Sequence, residues 1–509
     1  ISAILRAPVD LLWNGGIGTY VRATSETDAQ VGDRANDPVR VTAKDVRAKA
    51  AGEGGNLGWT QAGRIEYARN GGRINTDFID NSAGVDTSDH EVNIKILLDA
   101  EVAAGRISEQ ERDELLPAMA DDVASLVLRH NHSQNLALAN ALSSDGPTAG
   151  VLEAWMCELE ESGHLDRAVD TMPSTTEMNR RMAAGERLAS PELCTLLAWT
   201  KIALCDAVLA TDLPEDPFVA DRLVGYFPPL LRERFTERMP THRLHREIIT
   251  TEAVNRFVDS QGITAYYRLH LQTGADIAQV IRCQLAARSV FGLGRVETDL
   301  THLGLDAVRT AKIRLALTDL AMHTTRWFLN HGGADDIAGT IETYRPGVAT
   351  LVEKLSERLL GDSADAWQEK VDEVTELGLD RSDAAVVAAY DWSPVLLSIV
   401  EISEEGHSLD EVADAYLTLA RRVDMIRLTR LVEQLPQDRP TDARVRASLR
   451  EDLLRVMSDA TRRALVIGTD NVLADGGRIV KSIAANPDLA HCVVMVSDLR
   501  SAVGQEVTL

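Results

Sequence analysis

The hydrophobic pattern changes character near residue 88. Upstream, short apolar runs end on glycine: "VDLLWNGG" (9–16), "VRAKAAGEGGN" (46–56) and "RINTDFIDNSAG" (73–84). Runs of this length, closed by Gly and Asn, predict strands and turns and therefore an α/β unit over residues 1–87. The polar stretch between the first two, "RATSETDAQVGDRANDPVRVTAKD" (22–45), predicts a loop with helical turns.

From Ser88 onward the period is 3.6. Val92, Ile96 and Val102 recur at helical spacing, Gly105 closes the segment, and Ser88 with Glu91 has the spacing of a capping box at a helix start. Ser108 and Glu111 repeat that signature, and Leu115, Met119, Val123 and Leu126 continue it as one stripe. Residues 88–143 are thus expected to be helices returning onto the α/β unit. "SSDGPTAG" (143–150) reads as a linker, and residues 151–509 as helix after helix. Within that region Ser190 is the expected cap before Pro191, Ser408 and Glu411 form another capping box, and "ADGGRIVKSIAAN" (474–486) is an expected late helix. No fixed-period repeat appears, so a regular solenoid is not expected.

Composition narrows the function classes. With 53 Lys and Arg against 78 Asp and Glu the net charge is −25, which repels phosphate backbones and anionic lipid surfaces and argues against nucleic acid as a partner. The five cysteines are scattered and form no C-x-x-C pair, so neither a disulfide framework nor a metal site is expected, and a reducing cytoplasm fits. No apolar run of about 20 residues stands out as a membrane helix. Lys44 and Lys49 read as surface charges.

Two glycine-rich strand ends carry the candidate chemistry: "NGGIGT" (Asn14 to Thr19) and "GEGGNLG" (Gly52 to Gly58). In an open parallel sheet, ligands bind beyond the carboxyl ends of strands, and glycine lets backbone approach a cofactor there; tight turns would need the same residues. "GIGTYV" fills two places of the dinucleotide fingerprint, but Val21 stands at the third. A helix start at Ser88 would offer free N–H groups and a positive dipole end to a carboxylate. "RHNHSQN" sets His130 and His132 two apart, which is not the spacing of helical metal ligands. His242 and Arg246 at i, i+4 read as a salt-bridged face, with an anion-binding effector site as the alternative. No Ser/His/Asp, Cys/His or P-loop arrangement appears.

"TDFIDNSAGVDTSDHE" resembles the glutamate dehydrogenase segment P-D-x-x-A-N-A-G-G-V-x-x-S-x-x-E, with Asp77, Asn81, Gly84, Val85, Ser88 and Glu91 in matching places. "GEGGNLGWT" is similar to the same family's E-G-A-N-x-x-x-T, through Glu53, Gly54, Asn56 and Thr60. The wording of "DLLWNGGIGTYV", "VGDRAND" and "SDHEVNIKILL" resembles the large NAD-specific bacterial form. "LASPELCTLLAWTKIAL", "HRLHREIITT" and "TGADIAQVIR" resemble its helical C-terminal region.

That resemblance implies a fold and a function. The fold is an α/β remnant of a Rossmann-like dinucleotide-binding domain followed by a large all-α C-terminal region. The activity is oxidative deamination of L-glutamate to 2-oxoglutarate and ammonia with NAD. Asn14, Gly15, Gly16, Gly54 and Asn56 would border the cofactor, and Ser88 would hold the substrate's side-chain carboxylate. The catalytic residues would lie upstream of Ile1 and none in this chain, so the chain alone is expected to be inactive. A homo-oligomer and a small-molecule effector are further expectations. Where shorter members carry an aromatic, this chain has His90, and it has Ser82-Ala83 in the N-A-G-G turn. A helical interaction or effector-binding module without catalysis is the rival reading.

Overall fold

The computed structural model describes residues 1–143, 148–435, 440–474 and 488–504. It divides into two compact units, Ile1–Thr264 and Ala265–Leu509. Most described residues are helical. The expected linker falls partly, and the expected helix at 474–486 almost wholly, outside the described residues.

Four short strands open the first unit: β1 (Leu11–Asn14), β2 (Val21–Arg22), β3 (Val41–Thr42) and β4 (Ala50–Glu53). β1 pairs with β4 in parallel, from Leu11 opposite Ala50 to Asn14 opposite Glu53. β2 pairs with β3, also in parallel, giving two separate two-stranded sheets. The first two apolar runs therefore form strands as the pattern predicts. The third does not: it contributes one bridge, Arg73 to Ala50, and then the short helix Asp77–Asp80. The polar stretch between them forms the helical turns Asp28–Val31 and Arg34–Asn36 besides β2 and β3.

Beneath the strands lies a small core of Val21, Val41, Val46, Trp59, Tyr67 and Ile74. The helix Gln61–Arg69 covers it, started by Thr60, whose hydroxyl accepts from the Gly63 amide at 3.0 Å. Tyr67 packs its ring 5.0 Å from that of Trp59 and donates its hydroxyl to the Ala48 carbonyl at 2.7 Å. Burial of the ring and satisfaction of its polar end together fix the helix on the strands.

The long helix that follows runs Ser82–Ala103, not from Ser88. Ser88 lies two turns inside it and caps nothing; Asn81 is the residue before the first turn. Its buried stripe also differs from the expected one, being His90, Ile94, Leu97, Leu98 and Glu101. Val92, expected inward, is 51% exposed. The helix ends at Ala103 and the chain turns through Gly105 with φ +68°, as the glycine predicts.

Ser108 caps the next helix, Glu109–Ala118, by accepting from the Glu111 amide at 3.1 Å. The expected single stripe breaks at Met119, where a second helix, Ala120–Leu142, begins. This helix runs antiparallel to Ser82–Ala103: Asn135 meets Asn75, Asn131 meets Ser82, and His130 meets Asp86. Ser190 is the first residue of its helix rather than its cap, and Glu192 instead accepts the Ala189 amide at 2.7 Å.

The second unit is a packed set of helices among the described residues, the longest being Ala307–Asn330, Ile337–Arg358 and Pro440–Ile467. Ser408 and Glu411 form the predicted capping box at the start of Leu409–Arg422. Arg381–Ser403 is long and apolar enough by length and composition to cross a membrane, contrary to the sequence expectation, and 67% of its window is buried inside the protein. That burial is what a core helix shows.

Trp327 stacks on His331 at 4.0 Å, and His331 reaches Glu401 at 3.0 Å and Glu451 at 3.2 Å. Burial opposes the charged imidazole, but the bonds to the two carboxylates outweigh it and push His331 up to about 9. Because the folded value lies above the ordinary ~6.5, its stabilisation is full below about pH 6.5 and disappears as pH rises through about 9. Denaturant titrations of the parent and His331→Gln should show the parent's advantage, about 2–3 kcal/mol near pH 6, largely gone by about pH 10.

Candidate active site at the strand ends

The carboxyl ends of β1 and β4 meet where the two glycine-rich stretches begin. Asn14 closes β1, and its carbonyl accepts from the Gly54 amide at 2.9 Å and the Gly55 amide at 3.1 Å. Glycine is required here by proximity. A β-carbon on Gly55 would sit 2.6 Å from the Gly16 carbonyl oxygen, and one on Gly54 2.5 Å from the Trp13 ring. Trp13 lies across Gly52 and Gly54, two residues apart at the end of β4, and remains 59% exposed. Nothing approaches the open side of Gly16 within 4 Å. Leu57, with φ +58°, holds the turn in a conformation that non-glycine residues seldom adopt.

A buried ionic network sets this turn. Glu53 is fully buried and accepts two bonds from Arg64, Nε to Oε2 at 2.6 Å and Nη2 to Oε1 at 3.0 Å. Glu53 Oε1 also accepts from the Trp59 amide at 3.1 Å. Arg64 lies 3.3 Å from Asp77, which accepts from the Leu57 amide at 2.7 Å. Asp80 accepts from the Glu53 amide at 3.0 Å. Burial pushes the carboxyls of Glu53 and Asp80 up, against the pull of Arg64. The turn at 53–58 and the bend at 77–81 are thus one unit tied by three carboxylates and one guanidinium.

That unit aims the long helix. Asn81 donates from Nδ2 to Asn56 Oδ1 at 3.1 Å, joining the turn to the start of Ser82–Ala103. Seven residues on, Ser88 falls on the same stripe, about 10 Å along the axis. It is exposed, as is Val85 between them. Of the residues singled out in the sequence, Asn14, Gly15, Gly16, Gly54 and Asn56 form one cluster, and Ser88 stands further along the helix.

Whether these residues suit a dinucleotide has a structural test. The open backbone at Gly16, with the Trp13 ring beside Gly15, and the unbonded, buried Asn14 Nδ2 suit the amide-bearing end of such a cofactor. Val21, in the fingerprint's third place, is fully buried in β2, so no pyrophosphate loop forms there.

On its opposite face the long helix carries groups that spacing alone did not bring together. Asp86, His90 and His130 offer donor atoms all within 4.8 Å of one another. His130 Nδ1 reaches Asp86 at 2.8 Å, and His90 stacks on Tyr226 at 4.2 Å. Burial pushes His90 down to about 4, so it is a neutral ring. His130 thus meets Asp86 and stacks beside His90 at 5.8 Å, and His132 is not in the group. His242 does not pair with Arg246 either: its Nε2 meets the Asn93 carbonyl at 3.0 Å, and Arg246 pairs with Glu215. Lys49 is an exposed partner of Asp10, as expected.

Comparison with known proteins gives this geometry a family. Residues 185–506 match the family described as "Glutamate dehydrogenase, C-terminal", and residues 1–141 match "Bacterial NAD-glutamate dehydrogenase, catalytic domain". The chain belongs to the NAD-specific glutamate dehydrogenase family. It is 41% identical over 470 residues to the NAD-specific glutamate dehydrogenase of Mycobacterium tuberculosis, covering 92% of this chain and 29% of that one. The Pseudomonas aeruginosa protein of the same name is 38% identical over 521 residues, covering 100% and 32%. The Halomonas elongata protein of that name is 37% identical over 475 residues, covering 92% and 29%. The chain spans about a third of the length of these relatives. The strand-end cluster and Ser88 both fall within the stretch matched to the family's catalytic domain.

Proposed function

We propose that this chain supplies part of the active site of an NAD-dependent glutamate dehydrogenase, which converts L-glutamate to 2-oxoglutarate and ammonia. The observation that carries this reading is the convergence of two parallel strand ends with an asparagine-linked helix, inside the stretch matched to the catalytic domain. On this reading the strands are the end of a Rossmann-like nucleotide-binding domain over 1–87. Residues 88–143 return onto it, and 151–509 form the helical region. The fold, the substrate and the cofactor all follow the family.

In this arrangement Asn14, Gly15, Gly16, Gly54 and Asn56 hold the nicotinamide end of NAD, which accepts the hydride when bound. The glycines let that end lie against backbone, and the amide groups of Asn14 and Asn56 can orient its polar edges. Trp13 shields one side of the strand ends from water. Ser88 donates its hydroxyl to the side-chain carboxylate of glutamate, a charge-assisted bond that positions the substrate. The residues that move protons lie outside this chain. A cytoplasmic setting, assembly with further copies and control by a small-molecule effector belong to the same proposal.

The test is glutamate-dependent reduction of NAD. The full-length protein is expected to catalyse it, and the 509-residue chain alone is expected to give no turnover. Turnover by the chain alone would refute the division of labour. No glutamate-dependent activity in the full-length protein would leave the helical effector-binding module as the better account.

A further inference from the structure

Four arginines far apart in the sequence come together in the second unit. Arg268 is carried by Ala265–Thr273, Arg326 by Ala307–Asn330, and Arg446 and Arg450 by Pro440–Ile467. Arg326 and Arg446 are only 8% and 7% exposed. Burial, followed by mutual repulsion, lowers Arg326, Arg446 and Arg450, the last to about 10. Beside them His323 is pushed well below its ordinary value by burial and by Arg326 and Arg450, so it brings no negative or positive charge of its own.

Both neutral and acidic groups face these arginines. Arg326 Nε donates to the neutral amide of Gln272 at 2.8 Å, and Arg446 Nη1 to the Glu433 backbone carbonyl at 2.8 Å. The acids facing the cluster or its cavity are Glu433, Asp319, Asp391 and Glu451. Asp391 is pushed up to about 6, by burial and then by Glu433. Glu451, adjacent to Arg450 in the chain, is already engaged by His331 and by Asn330 at 2.8 Å.

Arg450 is the group left open. Its Nε and Nη2 are both buried and neither has a hydrogen-bond partner. These two atoms form one edge of the guanidinium, the edge whose parallel N–H bonds match the two oxygens of a carboxylate or phosphate. A cavity of about 50 Å³ adjoins it, lined also by His323, Arg326, Trp327, Asp391, Glu433 and Glu451. A water there could accept a hydrogen bond, but only an oxyanion offers two acceptor oxygens matched to that edge together with a charge opposite to the guanidinium's.

We propose that this cavity is a binding site for one small oxyanion, a carboxylate or phosphate group seated on the Nε/Nη2 edge of Arg450 with Arg326 beside it. The site lies entirely in the helical region and is separate from the strand-end cluster. The anion would tie Pro440–Ile467 to Ala307–Asn330, giving a metabolite a means of changing how that region is held. It goes beyond the dehydrogenase reading and does not depend on it.

Calorimetric titration of the full-length protein with succinate, and separately with inorganic phosphate, at ionic strength matched with chloride, tests this. Saturable binding of one equivalent is expected for at least one of the two. Phosphate alone would identify a phosphate site and succinate alone a carboxylate site. Arg450→Gln should weaken that binding by about ten-fold or more, whereas Ser88→Ala should leave it unchanged. Arg450→Met removes a buried guanidinium two of whose nitrogens have no hydrogen-bond partner. It should therefore unfold no earlier than the parent in anion-free buffer, yet lose the response. Absence of saturable binding by both anions, or binding equal in parent and Arg450 variants, would overturn the proposal.

Discussion

Replacing Arg64 with methionine is expected to destabilise the first unit by about 3–5 kcal/mol, because it leaves the wholly buried Glu53 without its counter-charge. The loss extends past one ion pair. Arg64 also faces Asp77, which fixes the Leu57 amide, so the strained turn at 53–58 would lose the contacts that hold it. Denaturant unfolding of the parent, Arg64→Met and the double variant Arg64→Met/Glu53→Gln measures this directly. The double variant should recover part of the loss, since its buried amide carries no charge. The pH dependence has a definite sign. In Arg64→Met the unpaired Glu53 carboxyl rises further, so the variant should be least destabilised in acid and most destabilised as pH climbs through the carboxylate range. A loss below about 1 kcal/mol that does not change with pH would show that the pair does not hold the turn.

Ser88→Ala in the full-length enzyme is expected to lower kcat/KM for glutamate by about 10- to 100-fold, the equivalent of one lost hydrogen bond to a charged group. Stability should be unaffected or slightly improved. Ser88 is exposed and sits inside the helix, where alanine is the better helix former, and it satisfies no terminal amide whose loss would cost a cap. The separation is what makes the experiment informative. A kinetic loss without a change in unfolding assigns the hydroxyl to substrate, while unchanged glutamate kinetics removes Ser88 from the site. Values for NAD should move little, because the cofactor residues proposed lie two helical turns away at Asn14, Gly54 and Asn56.

The family relation was legible in the first hundred residues, since the motif residues are local in sequence and few folds demand them together. Local chemistry was equally legible where neighbours along the chain decide the outcome. Ser108 and Ser408 cap their helices because the amide each must satisfy lies three residues ahead, and Gly105 turns the chain because it tolerates a positive φ. The strands β1 and β4 followed from apolar runs closed by glycine.

Ser88 shows where that reasoning stops. Its spacing to Glu91 mimics a cap, yet the helix starts two turns earlier. Asn81 is held by Asn56 and Ser82 by Asn131, residues 25 and 49 positions away. His90 occupies the buried stripe because Tyr226 stacks on it, a partner no local pattern reveals. The arginines at 268, 326, 446 and 450 lie on three different helices, so no local pattern groups them. Sequence alone determined the family, the helical character, two strand ends and the caps at Ser108 and Ser408, because each is written in residues close together in the chain. Tertiary structure alone decided the start of the long helix, the Glu53–Arg64 network and the arginine cavity, because each is set by charges and rings that only chain folding brings within bonding distance.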